Sequence, residues 1–147
     1  MILLISIIIF SNCATSLKPT TEPANSPINQ ADTIFLIVNQ TPDEAYKGMA
    51  SHLAKKGFGF ENTDQKLMTL RTDYREVSGV DAQYYINVKI ESEPTTIIIS
   101  GSGKNDNIAH FDIENRGISG SLTKGSWEAM HRVALEYPHN KVQYARN

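Results

Sequence analysis

Tyr84-Tyr85-Ile86-Asn87-Val88-Lys89-Ile90-Glu91, residues 84–91, sets Tyr84, Ile86, Val88 and Ile90 against Tyr85, Asn87, Lys89 and Glu91. Successive side chains of a strand point to opposite faces, so this period of two describes an antiparallel strand with one buried and one wet face. Glu93-Pro94 turns the chain, and Thr95–Ser100 (TTIIIS) returns as the hairpin partner. Gly101–Asn107 reads as a further turn, and Ile108–Glu114 as a less regular strand. Upstream, Phe58–Asn62 and Leu67–Thr72 form two strands around a polar turn at Asp64, with Phe58, Phe60, Met68 and Leu70 facing inward.

Earlier still, Thr33–Asn39 (TIFLIVN) is a continuous apolar run, which describes a strand covered on both faces or lying centrally. Thr41-Pro42-Asp43-Glu44 then starts a helix. Thr41 caps it, Pro42 suits the first turn and Glu44 occupies the reciprocal capping-box position. Ala45, Met49 and Leu53 repeat at helical spacing, and Lys55-Lys56 followed by Gly57 end a helix over residues 42–56. A second helix begins between Thr123 and Ser126, with a stripe of Trp127, Met130, Ala134 and Tyr137, and Pro138 ends it. Trp127 is expected to insert against the row Tyr84, Ile86, Val88 and Ile90. Lys141–Asn147 reads as a polar tail with Val142 and Tyr144 as docking points.

Strands joined by short turns, with two amphipathic helices, define an α+β domain: an antiparallel sheet of about five strands with both helices on one face. The element order, strand, helix, strands, helix over residues 32–137, resembles the helix-grip, or TATA-binding-protein-like, domains of small envelope lipoproteins, such as those of BamC. That resemblance is one of order and transfers no functional residue.

The amino terminus points to the same compartment. Residues 2–10 are apolar except Ser6, and Ser11-Asn12-Cys13 follow. A helix over residues 1–12 would reach roughly 18 Å, short of a bilayer core of about 30 Å, but the run suits a secretory signal. Phe10-Ser11-Asn12-Cys13 resembles a lipobox. Phe10 stands where that family has Leu, Asn12 stands where it has Gly or Ala, and no Lys or Arg precedes the apolar run. The resemblance implies acylation of Cys13 through its thiol and cleavage before it. Two alternatives are a plain cleaved signal, and a buried opening element with Cys13 as a core thiol. The expected organisation is a signal peptide over 1–12, a lipidated Cys13 with a flexible tether to residue 31, and one globular domain over 32–147. The tether reading rests on Pro19, Pro23 and Pro27 among Ser, Thr and Asn, a composition unable to bury a core.

Composition narrows the function. Lys and Arg number 14 against 16 Asp and Glu, with neither sign blocked, so no basic nucleic-acid face is announced. Cys13 is the sole cysteine, and its acylation would exclude disulfides, thiolate-bound zinc and thiol catalysis from the body. Ser100-Gly101-Ser102-Gly103-Lys104 lacks the first glycine and the Ser/Thr of a phosphate loop, and reads as a glycine-rich turn. Ser121-Leu122-Thr123-Lys124 matches a serine-nucleophile pattern without its companion motifs, so Ser121 or Thr123 reads as a helix cap. His52, His110, His131 and His139 form no metal-ligand spacing; His110 and Asp112 would supply two ligands at best. No cofactor is expected, and an enzyme is the least supported class.

The leading expectation is a lipoprotein on the non-cytoplasmic side of an envelope membrane, the outer one where the cell has two. It is held by lipid on Cys13 and acts as a structural or adaptor module for another envelope protein. Tyr85, Asn87 and Lys89, on the wet strand face, are its candidate contact residues. The alternative is a tethered small-ligand domain with a pocket between sheet and helices.

Overall fold

The computed structural model describes residues 23–147. The signal peptide expected over 1–12, the lipidation site Cys13 and tether residues 14–22 lie outside the described residues. The domain is α+β, and its strands pair antiparallel throughout. In chain order the elements are β1 (Thr33–Ile37), α1 (Pro42–Lys55), β2 (Phe60–Asp64), β3 (Thr69–Thr72), β4 (Arg75–Glu76), β5 (Gln83–Glu91), β6 (Thr96–Lys104), β7 (Phe111–Asp112), α2 (Leu122–Leu135) and β8 (Lys141–Ala145). The sheet has eight strands where about five were expected, in the order β2-β3-β5-β6-β1-β8, with β4 on β5 and β7 on β6.

Three of the differences have local causes. The strand expected to stop at Ser100 continues through Lys104, so Gly101 and Gly103 belong to β6 and not to a turn. Both glycines lie on the inner side, where Met130 and Phe111 pass close over the strand. The expected polar tail is β8, because Val142 and Tyr144 pair with Leu36 and Ile34 of β1 on the inner side while Lys141 and Gln143 face out. Five residues of alternation are short enough to pass for a tail. The irregular strand expected over 108–114 shrinks to β7, which pairs with β6 only at Ser102 and Gly103.

The boundary expected between residues 31 and 32 also moves. Ala24 exchanges two backbone hydrogen bonds of 2.8 Å with Tyr144, adding a bridge on the outer edge of β8. The Asn115 side chain donates to the Ile28 carbonyl at 2.8 Å, and its backbone bonds both Gln30 and Ala31. Ala31 is fully buried. Residues 24–31, assigned above to the tether, are therefore strapped onto the body.

Helix α1 carries the expected capping box, in which Thr41 accepts from the Glu44 amide and the Glu44 carboxylate accepts from the Thr41 amide at 2.9 Å. Gly57, at φ +84°, supplies the left-handed exit. Ser121 caps α2 by accepting from the Lys124 amide. The stripe Trp127, Met130, Ala134 and Tyr137 is buried as expected. Trp127 shares one core cluster with the β5 row, and it also stacks on His131 at 5.8 Å and tilts against Tyr144 at 6.4 Å. The strand that supplies Tyr144 was invisible as a strand, so its share of the core was too.

The two helices also hold each other. The His52 ring bonds the Val133 carbonyl at 2.8 Å and sits edge-on to Tyr137 at 5.5 Å, and the Tyr137 hydroxyl donates to Gln40. Beneath them one apolar cluster runs from Leu70 on β3 through Ile86 and Val88 on β5, Ile97 and Ile99 on β6 and Ile34 and Leu36 on β1 to Tyr144. Burial of such side chains, worth about 1.5–3 kcal/mol each, drives the packing of helices on sheet. Among the described residues no helix lies on the opposite face of the sheet. On the outer side of β1, Thr33 is buried while Phe35 and Ile37 are half-buried.

Candidate functional site

The strand pairings arrange the open face in rows. One row reads Thr69–Lys89–Ile98–Phe35–Gln143 across β3, β5, β6, β1 and β8. On one side lies Glu91–Thr96–Ile37–Lys141. On the other lies Arg71–Asn87–Ser100. Ile98, Phe35 and Ile37 thus form an apolar centre inside a polar surround. Beside it is a shallow depression of about 390 Å³, lined in part by Arg71, Asn87, Lys89, Ile98 and Ser100.

The period-two reading places Tyr85, Asn87 and Lys89 on this face together, and the structure does so. Their exposure differs from the expectation. Lys89 is exposed and salt-bridged to Glu91 at 2.6 Å, and Asn87 is half-buried between Arg71 and Ser100. Tyr85 is not wet: only 9 % of its surface remains accessible. The Arg71 guanidinium carbon lies 4.1 Å from its ring centre, and Tyr74 meets it edge-on at 5.2 Å. The Lys104 ammonium in turn sits 4.0 Å from the Tyr74 ring centre. Cation, ring, ring and cation form a ladder along one side of the face.

Each cation–π contact is worth about 0.5–1 kcal/mol at such a site, and an edge-to-face ring pair about 0.5–1.5 kcal/mol. The ladder therefore fixes side chains that would otherwise be mobile. Arg71 also lies 2.8 Å from Glu61 through Nε, although that nitrogen is shut off from water and makes no well-aligned hydrogen bond. Arg71, Tyr74 and Lys104 were missed as members of the site. They come from β3, from the link after it and from the glycine-rich end of β6, and only the strand pairing brings them together.

Other candidates separate. His110 and Asp112 stand 3.6 Å apart as an exposed pair, and Ser121 is engaged as a helix cap. Among the described residues no group of three or more His, Cys, Asp and Glu is placed to hold a metal ion. Among the same residues no helix is long and apolar enough to cross a membrane. His131 is half-buried against Trp127 and bonds the Tyr144 hydroxyl at 2.9 Å. Burial, helped by the nearby Lys124 charge, holds its pKa below the ordinary histidine value. The space between sheet and helices, where a ligand pocket was the alternative expectation, is occupied by Ile34, Leu36, Met49, Ile97 and Met130, each at most 1 % exposed.

No protein-family model matches the chain, and no curated protein matches it.

Proposed function

We propose that this chain is a membrane-anchored adaptor of the bacterial envelope, tethered through lipid on Cys13, whose open sheet face binds another envelope protein. The observation that carries the reading is the apolar centre Phe35, Ile37 and Ile98, which no helix among the described residues covers, beside a ladder of fixed aromatic and cationic side chains. An apolar patch with a polar surround is the usual form of a protein-binding surface, and preordered side chains lower the entropy lost on docking. The lipobox-like Phe10-Ser11-Asn12-Cys13 supports the anchor. The filled interlayer supports an adaptor over a small-ligand carrier.

The test compares partner retention from detergent-solubilised membranes of the native host. Ile98→Glu, on the open face, should lose the partner that the parent chain retains. Lys47→Glu, on the exposed side of α1, should keep it. Equal retention by both variants, each with an unchanged unfolding midpoint, would contradict the use of this face.

A further inference from the structure

The surround of the apolar centre is unevenly charged. The side chains that border Ile98, Phe35 and Ile37 along the rows are Lys89, Gln143, Thr96 and Lys141, with Ser100 next along β6: two cations and no carboxylate. The carboxylates of this region stand farther from the apolar centre, where Glu91 pairs with Lys89 at 2.6 Å and Glu61 with Arg71 at 2.8 Å. Glu91 is separated from Ile37 by Thr96, and Glu61 lies beyond Arg71 on the edge strand β2. Lys141 is exposed and makes no ion pair among the described residues. The depression beside Ile98 adds Arg71 to the same ring, with Asn87 and Ser100 as neutral hydrogen-bonding groups.

Resting on the adaptor reading, we propose that the partner contributes an acidic amphipathic segment, with apolar residues on Ile98, Phe35 and Ile37 and carboxylates on both sides of them. One carboxylate meets Lys89 and Arg71 at the depression; the other meets Lys141. Lys89 and Lys141 are three strand spacings apart, from β5 across β6 and β1 to β8. At about 4.8 Å per spacing, with Lys141 one row (about 6.8 Å) farther along the strands, the partner's acidic positions lie roughly 16 Å apart. A second copy of this chain is a poor occupant. Two such faces would bring their lysines together around the apolar centre, with no inner carboxylate to receive them.

The test is photo-crosslinking in the native host, with a photoreactive amino acid replacing Ser100 in the full chain and the adducts sequenced by mass spectrometry. The expected adduct is to a different protein, through a segment whose apolar residues are flanked by Asp or Glu. Its yield should fall about tenfold when Lys89→Glu and Lys141→Glu are combined, since like charges then face each other across the contact. An adduct to a basic or uncharged segment, to lipid or to a second copy overturns the proposal. So does a yield unmoved by the charge reversal in a chain with the parent's thermal midpoint. A photoreactive group replacing Lys47 separates two kinds of failure. Adducts there and none at Ser100, or adducts at neither position, remove both this proposal and the open-face reading; an adduct at Ser100 to a non-acidic segment of another protein overturns this proposal alone.

Discussion

Gly101 stands where backbone of the neighbouring strand passes close to β6. A Cβ added there would lie 2.5 Å from the Tyr85 carbonyl oxygen and 3.1 Å from the Met130 sulfur. A carbonyl held in the sheet cannot step aside as a side-chain tip can. Gly101→Ala should therefore cost about 1–3 kcal/mol, the usual penalty of overpacking, measured by urea titration. Gly79, around which the same addition meets nothing within 4 Å, is no fair comparison, because its φ of +77° is itself costly for alanine. At the same scale His131 links stability to pH. Its folded pKa is depressed, so the unfolded chain takes up the proton first as pH falls. The stability that depends on neutral His131 is complete above the unfolded value of about 6.5 and is lost as pH falls from there through the folded value. Thermal unfolding from pH 7.5 to 5 should show a steeper fall for the parent than for His131→Gln. Parallel curves would contradict this.

Among the elements, those set by a local signal were legible and those set by pairing were not. The capping box and Gly57 define α1 within one residue of its ends, because caps act within a single turn. The alternation in residues 84–91 identifies β5 and its outward side. It was silent about the cover on Tyr85, since Arg71 and Tyr74 reach that ring only after β3 has paired with β5. β8 and the strap over 24–31 escaped for the same reason: each is held by partners more than 80 residues away, Ile34 and Tyr144 among them. The strap yields a prediction. A chain beginning at Pro23 should be more stable than one beginning at Asp32 by about 1–3 kcal/mol, for the lost edge hydrogen bonds and the uncovered core near Ala31. Limited proteolysis should accordingly stop near Ala24. Equal stability of the two chains would mean that the strap is not held in solution.

For the whole molecule, the strap also sets reach. If lipid sits on Cys13, a fixed Ala24 leaves eleven peptide steps between anchor and body, against about eighteen were the chain loose to Ala31. At roughly 3.5 Å per residue the body stays within about 40 Å of the lipid and not about 60 Å. A docked strap thus keeps the open face near the membrane, where an envelope partner would meet it. The central claim is the anchor, because the address and the class of partner both follow from it. Its most direct test is the intact mass of the protein taken from native membranes, followed by sequencing of its first residues. The account predicts a chain that begins at Cys13 and carries a diacylglyceryl thioether, with Cys13→Ser chains recovered from the soluble fraction. A chain that retains Met1 and carries no lipid would contradict it.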